Sequence, residues 1–197
     1  MPIKVTFNTN LNEGNKEVLD CIKKYIREKY DLSTVNIVEV GSGHGRWGSF
    51  LAPFVKSYIG IEPDKEYLRM AKEVTATNTQ YLQGTGENIP LTGKYEVFLF
   101  MYSWHFMKKG DKALSELKRL LKKEGIIIIV EPSEKTEKWA SSKLTKGSKE
   151  FDQCMYDAKI KDLKKARELL EKQSLFKIVK EGTFISNNAL YWVLENP

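Results

Sequence analysis

The sequence predicts an α/β protein built on a doubly wound, mostly parallel sheet of seven strands with helices on both faces. Short apolar runs rich in β-branched residues alternate with segments of helical periodicity, as expected for parallel strands joined by helices. One of these runs, at 36–40, opens into a turn with glycines at alternate positions. The last two apolar runs are joined through Ser-Asn-Asn, which favours an antiparallel hairpin at the end of the sheet.

The first half of the chain alternates helical and extended patterns around this glycine turn. Apolar residues recur with helical spacing over 12–30, and Asn12 is suited to cap that helix. The run at 36–40 predicts the first strand, and a helix is expected from about Arg46. Further elements are predicted as a strand at 57–61, a helix over 64–77 with Tyr67, Leu68, Ala71 and Val74 facing inward, and a short strand at 81–83.

The second half contains the most apolar strands. The continuous apolar run at 95–101 predicts a central strand, and IIIIV at 126–130 predicts a strand buried on both faces. A helix is expected over 111–123, closed by Gly125 in a left-handed conformation. Segment 133–157 is more polar, with Trp139 and Phe151 among its apolar anchors, and is interpreted as an inserted lid or substrate segment. The chain is expected to end in a helix over 160–172 and two strands at 176–184 and 189–194.

Composition limits the possible partners and locations. A length of 197 residues suits one domain, here expected over 1–197 with residues 1–34 as an N-terminal helix and lid. The formal net charge is +6, but lysines alternate with glutamates along the predicted helices, which is typical of solvated faces rather than of a nucleic-acid surface. No run approaches the roughly 20 apolar residues of a membrane span, and no secretory signal is recognised. Two cysteines in such a chain favour reduced, structural thiols and a cytoplasmic location.

The glycine turn distinguishes two kinds of nucleotide-binding site. A dinucleotide motif G-x-G-x-x-G starting at Gly41 fails because Arg46 takes the third glycine position. Starting at Gly43 the motif matches through Gly48, but the turn would then begin two residues late. The pattern acid-x-G-x-G-x-G instead matches without slippage from Glu39 to Gly45.

With this pattern the chain resembles the small, single-domain class I S-adenosylmethionine-dependent methyltransferases. The resemblance covers roughly residues 36–132 and, in outline, the final hairpin. It implies a Rossmann-like fold and S-adenosyl-L-methionine as cofactor. In such a fold Glu62, at the end of the second strand, would accept both ribose hydroxyls, because two coplanar carboxylate oxygens match a vicinal diol. The sequence departs from the family at Thr85, where an aspartate usually accepts from the adenine amine, so this contact would fall to Thr85 or Glu87.

The resemblance and the glycine turn together define the expected site. Glu39 is expected mainly to orient the turn by binding the turn's backbone N–H groups. The aromatic residues of MYSWHF (101–106) could pack in the core, or against the sulfonium or a substrate ring. His105 is the candidate catalytic residue, as a general base or as a packed histidine beside the cofactor. No metal-ligand cluster is recognised in the sequence. The expected cofactor-binding residues are Glu39, Gly41, Ser42, Gly43, Gly45, Glu62, Pro63, Tyr67, Thr85, Gly86, Glu87 and Tyr102.

The function expected on this basis is transfer of a methyl group to an O, N or C atom of a small molecule. Methyltransferases acting on RNA or protein are the alternative within the family, although the Asn/Asp-Pro-Pro-aromatic run of amino-methylating nucleic-acid enzymes is absent after the fourth strand. A non-catalytic cofactor-binding subunit and an NAD-dependent protein are the alternatives outside it. The sequence leaves the acceptor and the oligomeric state open.

Overall fold

The computed structural model describes residues 13–73, 76–133, 160–184 and 189–197. Within these residues helices alternate with strands up to the C-terminal hairpin. The helices are α1 (Glu13–Arg27), α2 (Arg46–Leu51), α3 (Lys65–Glu73), α4 (Gly110–Leu120) and α5 (Ile160–Lys172). The strands are β1 (Asn36–Val40), β2 (Ser57–Glu62), β3 (Thr79–Gln83), β4 (Tyr95–Met101), β5 (Leu121–Pro132), β6 (Lys177–Phe184) and β7 (Ala189–Glu195).

The described strands form one seven-stranded sheet in the order β3-β2-β1-β4-β5-β7-β6. The pairs from β3 to β5 are parallel, whereas β7 runs antiparallel to both β5 and β6. The expected doubly wound sheet with a terminal antiparallel hairpin is therefore confirmed. β4 takes the central position predicted from its continuous apolar run.

The core has two layers because successive strand residues point to opposite faces of the sheet. Ile37 and Leu99 belong to a cluster with α1 and α2, whereas Val38 and Phe98 belong to a cluster with α4 and α5. Helices thus cover both faces, and strands buried on both faces need the continuous apolar runs seen in the sequence.

The predicted end of α4 is wrong. Gly125 does not close α4 in a left-handed conformation, because α4 ends at Leu120 and residue 125 lies inside β5. Leu121 already pairs with Tyr95 of β4, so sheet pairing begins directly after the helix and continues through the glycine. An added Cβ at Gly125 would lie 2.6 Å from Leu121 Cδ1 and 3.0 Å from the carbonyl oxygen of Glu96, so close packing accounts for the glycine.

Other expectations are adjusted or lie outside the described residues. The expected helix over 64–77 is shorter, because α3 spans Lys65–Glu73 and residues 76 and 77 are not helical, and Val74 lies outside the described residues. Tyr67 is 45% exposed instead of facing the core. Asn12, Cys154 and segment 134–157 lie outside the described residues, whereas Cys21 is a free thiol. Among the described residues, no helix has both the length and the apolar character required to span a membrane.

Candidate active site

A cavity of about 870 Å³ lies at the edge of the sheet where the parallel strands end. The strand order reverses between β1 and β4 at this edge, which is where ligands bind in open α/β sheets. The segments following β1 to β4 and one face of α5 form its walls. The lining residues are Gly41, Gly43, Glu62, Pro63, Asp64, Tyr67, Thr85, Gly86, Glu87, Tyr102 to Lys108, Gly110, Lys165, Ala166 and Leu169.

The glycine turn presents bare backbone to this cavity. Gly41 has φ +76°, and an added Cβ would lie 2.5 Å from the Ser103 Cβ, so only glycine fits there. Gly43 has φ +52°, and no atom lies within 4 Å of the position its Cβ would take. A side chain at Gly43 would therefore occupy open space beside the cavity, where a ligand could otherwise approach the backbone.

The Glu62 carboxylate is fixed beside the same turn. Its Oε2 accepts from the Gly43 N–H at 2.7 Å, and its Oε1 accepts from the Asp64 N–H at 3.0 Å. Each carboxylate oxygen has two acceptor positions, so one remains on each for a ligand diol. Burial raises the pKa of this carboxyl above its ordinary value, although the two N–H donors oppose the shift.

The start of α3 places Tyr67 next to Glu62. Asp64 caps the helix because its Oδ1 accepts from the backbone N–H groups of Glu66 and Tyr67. Tyr67 lines the cavity with a ring that is half-exposed. This is a suitable position for a flat ligand ring to stack.

The loop after β3 is joined to the loop after β4 through Glu87. The Glu87 Oε1 accepts from the backbone N–H groups of Lys108 and Lys109, at 2.7 and 3.1 Å. Burial tends to raise the pKa of this carboxyl, but these donors hold it below its ordinary value. Glu87 is therefore already engaged in holding the two loops together, and it also accepts a hydrogen bond from the Thr85 side chain, so both candidate substitutes for the family's aspartate are engaged with each other.

The loop after β4 carries a buried histidine–carboxylate pair. His105 Nδ1 contacts Glu131 Oε2, and Glu131 Oε1 accepts from the Trp104 N–H at 2.7 Å. Tyr102 precedes them with φ +59°, which among the described residues makes it the one non-glycine residue with positive φ. Such strained residues cluster at ligand sites, where the surrounding structure holds them in place.

Three of the expected cofactor residues do not line the cavity. Glu39 is buried, and its Oε2 accepts from the Tyr58 hydroxyl at 2.7 Å, so its side chain links β1 to β2. The expectation that Glu39 binds the backbone N–H groups of the turn is wrong, because its partner is on the neighbouring strand. Ser42 is also buried, and an added Cβ on Gly45 would lie 2.6 Å from the Tyr81 hydroxyl oxygen. These three residues lie behind the cavity wall, whereas Gly41 and Gly43 line the cavity.

Glu131 and the α5 residues of the cavity were not predicted as site residues. Glu131 does not line the cavity but lies near the carboxyl end of β5 and binds His105, so the argument that selected Glu62, an acid at the carboxyl end of a strand, could have found it. Lys165, Ala166 and Leu169 reach the site only because α5 packs beside the loop after β4, where Ala166 O accepts from Trp104 Nε1 at 3.2 Å. No sequence motif marks these α5 residues.

The cavity has two chemically distinct sides. The side formed after β1, β2 and β3 contains the glycine backbone and carboxylates of Glu62, Asp64 and Glu87. The side formed by the loop after β4 and by α5 contains aromatic rings together with Lys108 and Lys165. This division provides one region for a diol-bearing nucleoside and a neighbouring region for a second molecule.

The sequence between β1 and β5 also matches a known family model. Residues 38–129, just under half of the chain, match the family model described as a methyltransferase domain. The matched stretch contains the glycine turn, Glu62 and the loops that line the cavity. This part of the chain is therefore similar to methyltransferases, in agreement with the resemblance to the class I S-adenosylmethionine-dependent family.

Individual relatives agree with this family. An uncharacterized methyltransferase, YcgJ of Bacillus subtilis, is 27% identical over 100 residues, which are 48% of this chain and 40% of the relative. A ubiquinone/menaquinone biosynthesis C-methyltransferase, UbiE of Campylobacter jejuni, is 32% identical over 73 residues, 36% of this chain and 31% of the relative. The chain thus spans less than half the length of these two curated relatives.

A solved structure shows the same fold at low identity. The plantazolicin methyltransferase BpumL, in complex with a triazolic desmethylPZN analog and SAH, superposes with a TM-score of 0.71 at 16% identity. The superposition covers 93% of this chain and 85% of that structure.

Proposed function

We propose that this protein transfers the sulfonium methyl group of S-adenosyl-L-methionine to an O, N or C atom of a small-molecule substrate. The observation that carries the proposal is the Glu62 carboxylate held beside the bare backbone of Gly43 in the cavity. This pairing places two acceptor oxygens for a ribose diol next to an open approach to the backbone. The match of residues 38–129 to the methyltransferase domain model supports the same cofactor and reaction.

Within the proposal each wall of the cavity has a function toward the cofactor. Glu62 accepts the ribose hydroxyls, and Tyr67 stacks on the adenine. Thr85 and Gly86 contact the adenine edge. Gly41 and Gly43 lie against the methionine portion, near Tyr102. Glu39, Ser42 and Gly45 contribute by shaping the turn rather than by contacting the cofactor.

Methyl transfer requires little of the protein beyond alignment of the reacting atoms. The sulfonium supplies its own electrophilicity, since the leaving group is a neutral thioether. The chain must hold the acceptor atom, methyl carbon and sulfur in line and exclude water, and such positioning effects are worth several kcal/mol. A cavity of about 870 Å³ has room for the cofactor and a small acceptor.

The experiment compares cofactor binding by the wild type with binding by Glu62→Ala and Glu62→Gln, using S-adenosylhomocysteine in isothermal calorimetry. Both variants lose charged acceptors for the diol, and each such hydrogen bond is worth about 1.5–3 kcal/mol. Affinity is expected to fall by at least about tenfold. The glutamine variant keeps the size of the side chain and so separates the loss of charge from the loss of packing.

Glu66→Ala serves as the matched control. Glu66 also lies at the start of α3 but is exposed and outside the cavity lining, so its replacement should leave affinity unchanged. Equal affinity of the wild type and both Glu62 variants would contradict the ribose assignment. Methyl transfer is then followed with S-adenosyl-L-methionine labelled in the methyl group.

A further inference from the structure

We propose that His105 is a general base oriented by Glu131, and that the methyl acceptor is the hydroxyl group of a small aromatic compound. The inference rests on the proposed function and adds to it the class of acceptor. It is carried by the geometry of the histidine–carboxylate pair and by the composition of the cavity wall around it.

The first step is that the orientation of the imidazole is fixed. Glu131 is 2% exposed and lies in β5, and its two oxygens bind His105 Nδ1 and the backbone N–H of Trp104. A carboxylate acceptor places the proton of a neutral imidazole on Nδ1. The lone pair then lies on Nε2, which is the tautomer a general base requires.

The second step is that Nε2 lacks a partner. This atom is buried, and it has no hydrogen-bond partner in the part of the chain that the structure describes. A buried acceptor without a donor is costly, so a ligand hydroxyl that donates to Nε2 would be favoured.

The third step is the surroundings of the imidazole. His105 belongs to the cavity lining, and the centroid of its ring lies 4.0 Å from the centroid of the Phe106 ring. Tyr102 and Trp104 line the same wall, so a flat aromatic acceptor is the shape this side of the cavity suits best. The imidazole itself has no exposed surface, so the acceptor must displace a neighbouring side chain to reach Nε2. Catalytic hydrogen bonds are often completed only in the substrate complex.

The proposed step couples methyl transfer to removal of the hydroxyl proton. The hydroxyl proton of the acceptor moves to Nε2 as its oxygen attacks the methyl carbon and the carbon–sulfur bond breaks. The electron pair of that bond stays on sulfur, giving neutral S-adenosylhomocysteine and a methyl ether. The Glu131 carboxylate stabilises the imidazolium until its proton leaves to water.

The test uses two acceptors that differ in their need for a base. Phenol is almost wholly protonated at neutral pH, whereas 4-nitrophenol is largely ionised in mildly alkaline buffer. His105→Asn keeps a donor near the Nδ1 position for Glu131 and removes the Nε2 acceptor. We expect kcat for phenol to fall by about 10²–10⁴-fold in this variant, and kcat for 4-nitrophenol at mildly alkaline pH to change little.

Glu131 is tested as a positioning residue. In Glu131→Gln, kcat for phenol should fall, while kcat for 4-nitrophenol at mildly alkaline pH and KM for S-adenosyl-L-methionine stay the same. A purely structural pair would instead lower kcat for both phenols to the same extent.

The outcomes separate this inference from the proposed function. Equal losses with both phenols, or transfer to neither phenol by the wild type, would overturn the inference. The proposed function would stand in either case if calorimetry still detects S-adenosylhomocysteine. Absence of that binding in the wild type would overturn the proposed function itself.

Discussion

At the scale of single residues, the site depends on one backbone position and one carboxylate. Gly43 leaves open space where a side chain would lie, and its N–H holds Glu62 in the orientation that faces the cavity. The two features reinforce each other, because the carboxylate that would bind a diol also fixes the turn. A substitution at either position should therefore affect binding more than folding.

The prediction at this scale compares Gly43→Ala with Gly93→Ala. Both glycines have positive φ, +52° and +86°, and open space at the Cβ position, so both substitutions should cost about 1–2 kcal/mol of stability. Gly43 lines the cavity whereas Gly93 does not. Calorimetry with S-adenosylhomocysteine should detect at least tenfold weaker binding for Gly43→Ala and wild-type binding for Gly93→Ala. Matching affinities in the two variants would refute the approach of the ligand to Gly43.

The sequence could predict the residues whose chemistry is local. The alternate glycines and the acid ending β2 were recognisable as a pattern, and Gly41, Gly43 and Glu62 line the cavity. It could not predict that Glu87 would be engaged by Lys108 and Lys109, because that contact joins loops that are distant in the chain. Glu131 could have been selected by the argument that selected Glu62, because both are acids near the carboxyl end of a strand.

At the scale of elements, strands were predicted better than the boundaries between elements. β1 and β4 have the predicted bounds because their apolar runs are continuous and end in clear breaks. The end of α4 was misplaced because Gly125 resembles a helix terminator in sequence. Pairing of Leu121 with Tyr95 extends β5 back to the helix, and such tertiary pairing leaves no local signal.

The prediction at this scale concerns the buried link between β1 and β2. Burial raises the pKa of Glu39 to about 8, partly opposed by the hydrogen bond from Tyr58. Because the folded-state pKa lies above the ordinary value of 4.5, the contribution of Glu39 to stability is complete below about pH 4.5 and is lost as the pH rises toward 8.

Glu39→Gln removes this titration and keeps an acceptor for the Tyr58 hydroxyl. The free energy of unfolding of the wild type relative to the variant should fall between pH 5 and pH 8, by up to about 1.4 kcal/mol per pH unit. Urea denaturation at intervals across that range measures the difference. A difference that stays constant with pH would mean that Glu39 ionises normally in the folded protein.

At the scale of the whole molecule, the topology gathers distant segments at one edge. The turn after β1, the acid of β2 and the loops after β3 and β4 all line one cavity, because parallel strands end at the same edge of the sheet. The contribution of α5 could not be anticipated, because no motif connects Leu169 to the site. The predicted segment 133–157, which would help define the acceptor, remains an expectation.

The most direct test of the central claim is isothermal calorimetry of the wild-type protein with S-adenosylhomocysteine and, separately, with NAD. The claim is that an adenosyl group lies across the carboxyl edge of the sheet with its ribose on Glu62 and its tail over Gly41 and Gly43. Saturable binding of S-adenosylhomocysteine with one site per chain, and none of NAD, is the expected result. Binding of NAD in preference, or of neither compound, would contradict it.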